Sequence, residues 1–311
     1  MTLKMNHKAQ IFSMLVLLLI GLMFISVELF SFLHERGVIR TRVSTMDTFL
    51  KSIEDNLDKQ VYISGYRIMF LAGNYIVDTG VYLGDDIYYT SADPVFQFFN
   101  ESFLNGSVAG VEQPLLFTYS QLADSIVEKG EKMNLDIIFQ DPPELISITQ
   151  NNPWFVNFSV AFNLTMEDRE NLASWNRFQV VSAYVPVTGF RDPIYNVETY
   201  NKVERLIQKT PYTVWNVGNL NAHVTNGYYS NNTDAPSFLK RLVGNLSSDP
   251  NGIESFVIRP DLSTQGIPTQ DKSCVDYTYF GVQENGNAVS GMPGWFLIDD
   301  AHRSIYCLGC P

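Results

Sequence analysis

The sequence predicts an α+β chain in which a long N-terminal helix carries a β-rich globular head. Three features lead there. Residues 9–27 form an apolar run without a charge. A striped helical pattern without proline continues beyond it. From residue 74 onward, stretches rich in Tyr, Phe and β-branched residues alternate in the manner of strands.

The first element is long enough to cross a bilayer, whose hydrocarbon core needs about 20 apolar residues. It exceeds the apolar core of an ordinary secretory signal, and no Ala-x-Ala site follows it. A removed signal peptide therefore fits less well than a retained span over 10–33. Lys4 and Lys8 precede the run while Arg36, Arg40 and Arg42 follow it, so the basic flanks do not decide orientation. The Asn-x-Ser/Thr sequons do vote. Asn100, Asn105, Asn157, Asn163, Asn231 and Asn245 all lie C-terminal of the run and favour a head outside the cell membrane. The chain is then single-pass, with a cytoplasmic N-terminus and the lipid bilayer as its first partner.

Ahead of the run stands "NHKAQIFS", in which Lys8, Ala9 and Gln10 meet the apolar stretch directly. This resembles the class III signal of archaeal type IV pilin-like surface proteins. The resemblance implies cleavage between Ala9 and Gln10 by a prepilin peptidase, with residues 1–9 as leader and the apolar stretch retained. It also implies contacts with other pilin-like subunits through the N-terminal helix. Ala9 stands where Gly is commoner, and Met14 stands where many pilins carry an early acidic residue. Those departures imply a minor or pilin-like component rather than a major subunit. An uncleaved signal anchor is the alternative.

The second half of the helix, 34–73, is amphipathic. Ile39, Val43, Met46, Leu50, Ile53 and Leu57 recur at spacings of four and three, between mostly polar residues. One stripe serves either to pack under the chain's own head or to form a coiled-coil stalk. Near "VYISGYRIMFLAGNYIV" the pattern becomes apolar on nearly all sides, as a helix end entering a core would be, with Gly73-Asn74 as the expected stop.

The head spans 74–311, with a possible division into two lobes near 191–193. "PWFVNFSVAFNLTME" is its clearest strand. Trp154, Val156, Phe158, Val160, Phe162 and Leu164 share one face, and Asn157 and Asn163 share the other. "LDIIFQ" and "ELISITQ" flank Asp141-Pro142-Pro143 and read as strand–turn–strand. "RFQVVSAYVPV", "GIESFVIRP" and "CVDYTYFGV" read as strands. "SQLADSIVEKGEKMN", "VETYNKVERLIQK" and "APSFLKRLVGN" read as helices. Asn216–Asp234 reads as a loop, and "WFLIDDAHRSIYCLG" as a terminal hairpin turning at Asp299–His302.

Composition narrows the function. A net charge of −12 opposes nucleic-acid binding, which needs a basic face. His223 and His302 are the only histidines in the head, and no Gly-x-Ser-x-Gly elbow accompanies them. Asp299, Asp300 and His302 contain metal-ligand types, but a turn uses Asp for its own backbone reasons. Cys274, Cys307 and Cys310 offer a zinc half-site or a disulfide from Cys274 to Cys307 or Cys310, and an oxidising exterior favours the disulfide. No cofactor or metal is expected. The leading expectation is a non-enzymatic, membrane-anchored structural protein. The alternative is an anchored ectodomain that binds or senses, a glycan for instance, through Tyr88-Tyr89, Trp215 or Tyr228-Tyr229.

Overall fold

The computed structural model describes residues 7–113, 118–139, 144–281 and 284–306. Its spine is α1 (His7–Thr79), one uninterrupted helix of 73 residues. Absence of proline lets the membrane-type half and the striped half fuse. Met46, Leu50, Ile53, Leu57, Val61, Ile68, Ala72 and Ile76 are buried in the head. From Met46 onward the stripe therefore packs under its own head, while Ile39 at its start stays exposed. Gly73-Asn74 does not stop the helix. Ile76 is buried in the core beyond it, and Gly80, at φ 72°, accepts the left-handed conformation that ends the last turn. Its N–H donates to the Ile76 carbonyl at 2.9 Å.

Two helices and a small hairpin lead to the sheet. The first helix, α2 (Pro94–Asn105), is capped by Asp93 and buries Phe98, Phe99 and Phe103. The hairpin joins β1 (Ser107–Val108) to β2 (Val111–Glu112). The second helix, α3 (Tyr119–Lys132), opens on a Thr118–Gln121 capping box and buries Leu122 and Ile126.

The sheet contains β3 (Leu135–Phe139), β4 (Glu144–Asn152), β5 (Phe155–Asp168) and β6 (Ser174–Pro186), all antiparallel to their neighbours. Both strands expected on either side of Asp141-Pro142-Pro143 form. β3 pairs with Leu164–Asp168 and β4 with residues 155–161, so both lie in line along one edge of β5 instead of folding back on each other. Residues 140–143 between them lie outside the described residues. The opposite edge of β5 takes β6 in unbroken register from Phe155↔Pro186 to Glu167↔Ser174.

The inner face of β5 carries Val156, Phe158, Val160, Phe162, Leu164 and Met166, all buried, as the alternation predicts. It packs against α1. Arg42 reaches Asp168 at one end of β5, and Gly65 meets Phe158 towards the other. About 34 Å of helix thus lies along about 33 Å of strand. A Cβ on Gly65 would stand 2.8 Å from a Phe158 ring carbon and 3.1 Å from a Val185 methyl, so the absent side chain permits the close approach. At the end of the seam nearer the apolar half of α1, Arg42 is a clamp. Its Nε donates to Asp168 Oδ2 at 2.5 Å, and its Nη2 donates to the carbonyls of Met133 (2.6 Å) and Asn134 (3.0 Å) at the end of α3. Helix, sheet and α3 meet at this one guanidinium.

Beyond Phe190 regular structure is sparse. The elements are α4 (Pro193–Glu198), α5 (Val217–Asn226), β7 (Ser230–Asn231), α6 (Phe238–Leu242) and β8 (Ile253–Glu254), then α7 (Arg259–Thr264), α8 (Asp276–Phe280), β9 (Asn287–Ala288), β10 (Leu297–Ile298) and α9 (Asp300–Ile305). Two small apolar clusters form here, one around Phe256, Phe296 and Tyr306, the other around Tyr195, Val257 and Tyr279. Ile207, Tyr229, Phe238, Leu242 and Ile253 nevertheless join the main core.

Four local expectations in this region fail. "VETYNKVERLIQK" is no helix beyond Glu198, because Tyr200 and Asn201 take positive φ and the Thr199 hydroxyl bonds the Tyr195 carbonyl. Asn216–Asp234 contains α5, capped by Asn216. "CVDYTYF" forms α8 instead of a strand, its Asp276 held by Arg241 and Ser255. "DDAH" opens α9 rather than turning a hairpin, because Asp299 accepts from the His302 N–H as an N-cap.

Two glycines of α1, Gly65 and Gly73, give opposite expectations. Gly65→Ala drives a methyl into Phe158 and should lower stability by about 1–3 kcal/mol. Gly73→Ala meets nothing within 4 Å and should raise it by about 0.5–1 kcal/mol. Denaturant unfolding of the full chain in detergent, followed by circular dichroism, checks both signs.

Candidate functional site

The most exposed apolar surface is the first part of α1. From Ile11 to Leu33 its large side chains are open all round the helix, Phe12, Leu17, Met23 and Phe30 among them. This helix is long and apolar enough to cross a membrane. The backbone of Lys8, Ala9 and Gln10 already belongs to α1, while residues 1–6 of the expected leader lie outside the described residues. Glu28 is the single charge between Ile11 and Leu33.

A second open surface was not legible in advance. The outer face of the sheet carries Ile138, Phe155, Phe178, Val180 and Tyr184, exposed by 57, 40, 68, 49 and 61%. Between the apolar groups sit Ser159 and Ser182, whose hydroxyls bond at 2.9 Å. Its signal was the even-numbered residues of "RFQVVSAYV", apolar on what became the solvent side. The aromatic pairs singled out from sequence are mostly internal. Tyr89 and Tyr229 are buried, and Trp215 packs edge-on to Tyr306 at 4.6 Å. Of that set, Tyr88 is exposed.

The sequons divide by exposure. Asn105, Asn231 and Asn245 are exposed. Asn100 is half-buried in α2, and its sequon hydroxyl, Ser102, is buried. Asn157 and Asn163 on β5 are half-buried rather than projecting freely, and the Asn157 amide donates to Ser159 Oγ at 3.3 Å. β4 and β6 flank Asn157, and β6 flanks Asn163.

Cys274 is buried, and the partners expected for it in a disulfide fall outside the described residues. Its sulfur contacts the Trp295 carbonyl at 3.8 Å and the Leu297 N–H at 3.5 Å, and burial pushes its pKa up to about 11. Cys307 and Cys310 lie outside the described residues.

Buried polar groups serve as internal cement in the second half of the head. Arg241, fully buried, bonds Asp192 at 2.6 Å and Asp276 at 3.0 Å and donates to the Ile253 carbonyl. It ties α4, α6, α8 and β8 together. Nearby, His302 Nδ1 bonds Asp299 at 2.7 Å while Nε2 faces Glu254 at 3.2 Å and the Tyr277 hydroxyl at 3.0 Å. Burial alone would lower its pKa; the bonds to Asp299 and Glu254 outweigh that and push it up to about 10. Asp299, against the cost of its own burial, is held down at about 2 by the His302 bonds and Ser273. An imidazolium with both nitrogens engaged cannot take a proton from a nucleophile. Ser273 bonds Asp299 rather than His302, so the three do not form a triad. Asp300 accepts from Asn287 at 2.8 Å, away from the His302 ring bonds. His223 is buried among Trp215, Tyr228 and Phe256, and burial lowers its pKa to about 4. Among the described residues no three His, Cys, Asp or Glu groups are arranged to hold a metal ion.

No family model, curated protein or solved structure matches this chain.

The His302 pair sets a pH profile. Its folded pKa, about 10, lies above the unfolded value of 6.5, so its stabilisation is complete below about pH 6.5 and is lost as pH rises through 10. Thermal unfolding of the full chain should show its midpoint falling over that window. His302→Gln should start lower and lose that slope. Equal slopes for both proteins would remove His302 as the source.

Proposed function

We propose that the chain is a membrane-anchored surface protein that holds its head on a rigid helical spine, as a pilin-like or minor-pilin-like subunit does. One observation carries the reading: a single helix is exposed and apolar over its first part and buried in the head over its last part. A plain tether needs no such continuity, because a flexible linker would serve. A subunit that must hold its head at a set angle to neighbouring helices does need it. The head faces outward in this reading, and the acidic balance of the chain gives it a solvated surface. Its role is structural rather than enzymatic, in keeping with histidines that are either doubly engaged or buried and neutral.

Mass spectrometry of the protein purified from membranes of its own host tests processing. The expected chain begins at Gln10; Ala9→Asp should block cleavage and leave the leader attached. An intact Met1 in the membrane pool would favour an uncleaved anchor. Any glycan is expected at Asn105, Asn231 or Asn245, where the amide is exposed, before Asn157 or Asn163.

A second reading, an anchored binding ectodomain, is favoured by the open aromatic face of β5 and β6. In that case Phe178→Ser with Tyr184→Ser should abolish ligand capture while the unfolding midpoint stays within a few degrees. Glycan arrays probed with both proteins separate this from a purely structural head.

A further inference from the structure

The neck of α1 joins the span to the head, and its charges are unequal in kind. Arg42 is fully engaged, holding Asp168 and the end of α3. Arg36 and Arg40 are exposed and lie one helical turn apart on one face. Glu35 sits about 100° round the helix from Arg36, so it does not share their side. Helix side chains lean toward the N-terminus, here the membrane end. The Arg36 guanidinium shows it, lying over the Phe32 ring at 4.4 Å.

Position follows from the helical rise. Arg36 and Arg40 stand about 5 and 10 Å beyond Leu33 at 1.5 Å per residue. The polar layer of a bilayer is roughly 5–8 Å thick on each side. Both guanidinium groups therefore fall at headgroup level when the run ending at Leu33 fills the hydrocarbon. Beside them an open groove of about 630 Å³ is lined by Arg40, Thr41, Ser44, Thr45, Thr48 and Met133, between the neck and the base of the head. The Thr41, Thr45 and Thr48 hydroxyls donate to the helix's own carbonyls, which leaves Arg40 as the cationic donor lining the groove, one turn from Arg36.

We propose that Arg36 and Arg40 form a docking surface for phospholipid phosphates, and that this contact sets the height of the head above the membrane. The inference rests on the span lying in a bilayer. Charge complementarity selects the partner: planar guanidinium forks bind phosphate oxygens in pairs. Arg42 then transmits the fixed height to the head, since it joins the same helix to the sheet and to α3. The assignment separates three neighbouring arginines into two lipid contacts and one internal clamp.

The test uses the full chain in two kinds of nanodisc, phosphatidylcholine with phosphatidylglycerol, and digalactosyldiacylglycerol, whose surface carries no phosphate. Hydrogen exchange is read at the amides of residues 36–41. Exchange is expected to be about tenfold slower in the phospholipid discs, since each arginine near such a surface adds modestly to binding. Arg36→Gln with Arg40→Gln should exchange at the faster rate in both discs, with β5 protection unchanged as the check on folding. Equal rates for the natural chain in the two lipids would overturn the proposal. So would slowing in galactolipid on addition of inorganic phosphate, which would identify a free-anion site. Failure of the chain to remain in either disc would instead strike at the membrane anchor, a separate outcome.

Discussion

The packing of α1 across the inner face of β5 and β6 is the constraint on which the remaining architecture depends. Helix and strand run side by side over comparable lengths, with Gly65 allowing contact at one end and Arg42 fastening the other. Because the helix does not break between the span and this seam, the head has no hinge of its own. Any tilt of the span is passed to the head, and any load on the head is passed to the span. A buried carboxylate at Asp168 makes the lower fastening costly to release, since an unpaired charge would be left behind.

The second half of the head obeys different physics. Its strands are two residues long and its helices mostly short, so regular backbone ladders hold little of it together. Buried ion clusters do that instead. Arg241 joins segments distant in sequence, and His302 joins α9 to β8 through Glu254. Such pairs add little over a well-packed apolar core, but removing one partner is costly and the geometry admits one arrangement. Arg241, Asp192, Asp276, Asp299 and His302 thus spend their protons and lone pairs largely on one another.

The two outer surfaces differ in the same way. The span is apolar on all sides and suits lipid. The outer sheet face mixes Phe178, Val180 and Tyr184 with serine hydroxyls, a surface that water tolerates and that a partner can cover. The one edge of the sheet is staggered by the step between β3 and β4 and covered near Gln150 by α6 and Asn251, whereas β6 is unbroken.

By itself the sequence determined the elements whose signal is periodic: the apolar run, the stripe along the second half of α1, the alternating faces of β5, and the helix that became α3. Period and cap are local, and they survive any tertiary arrangement that has a core on one side. The tertiary structure decided the rest. Asp276, drawn to Arg241, turned an aromatic strand pattern into α8; Asp299, capping His302, turned a hairpin signal into α9. Neither pull is visible along the chain, because each depends on a partner brought close only by folding. The open face of β6 was undecidable for the same reason, since alternation tells which residues share a side and only packing tells which side α1 will cover.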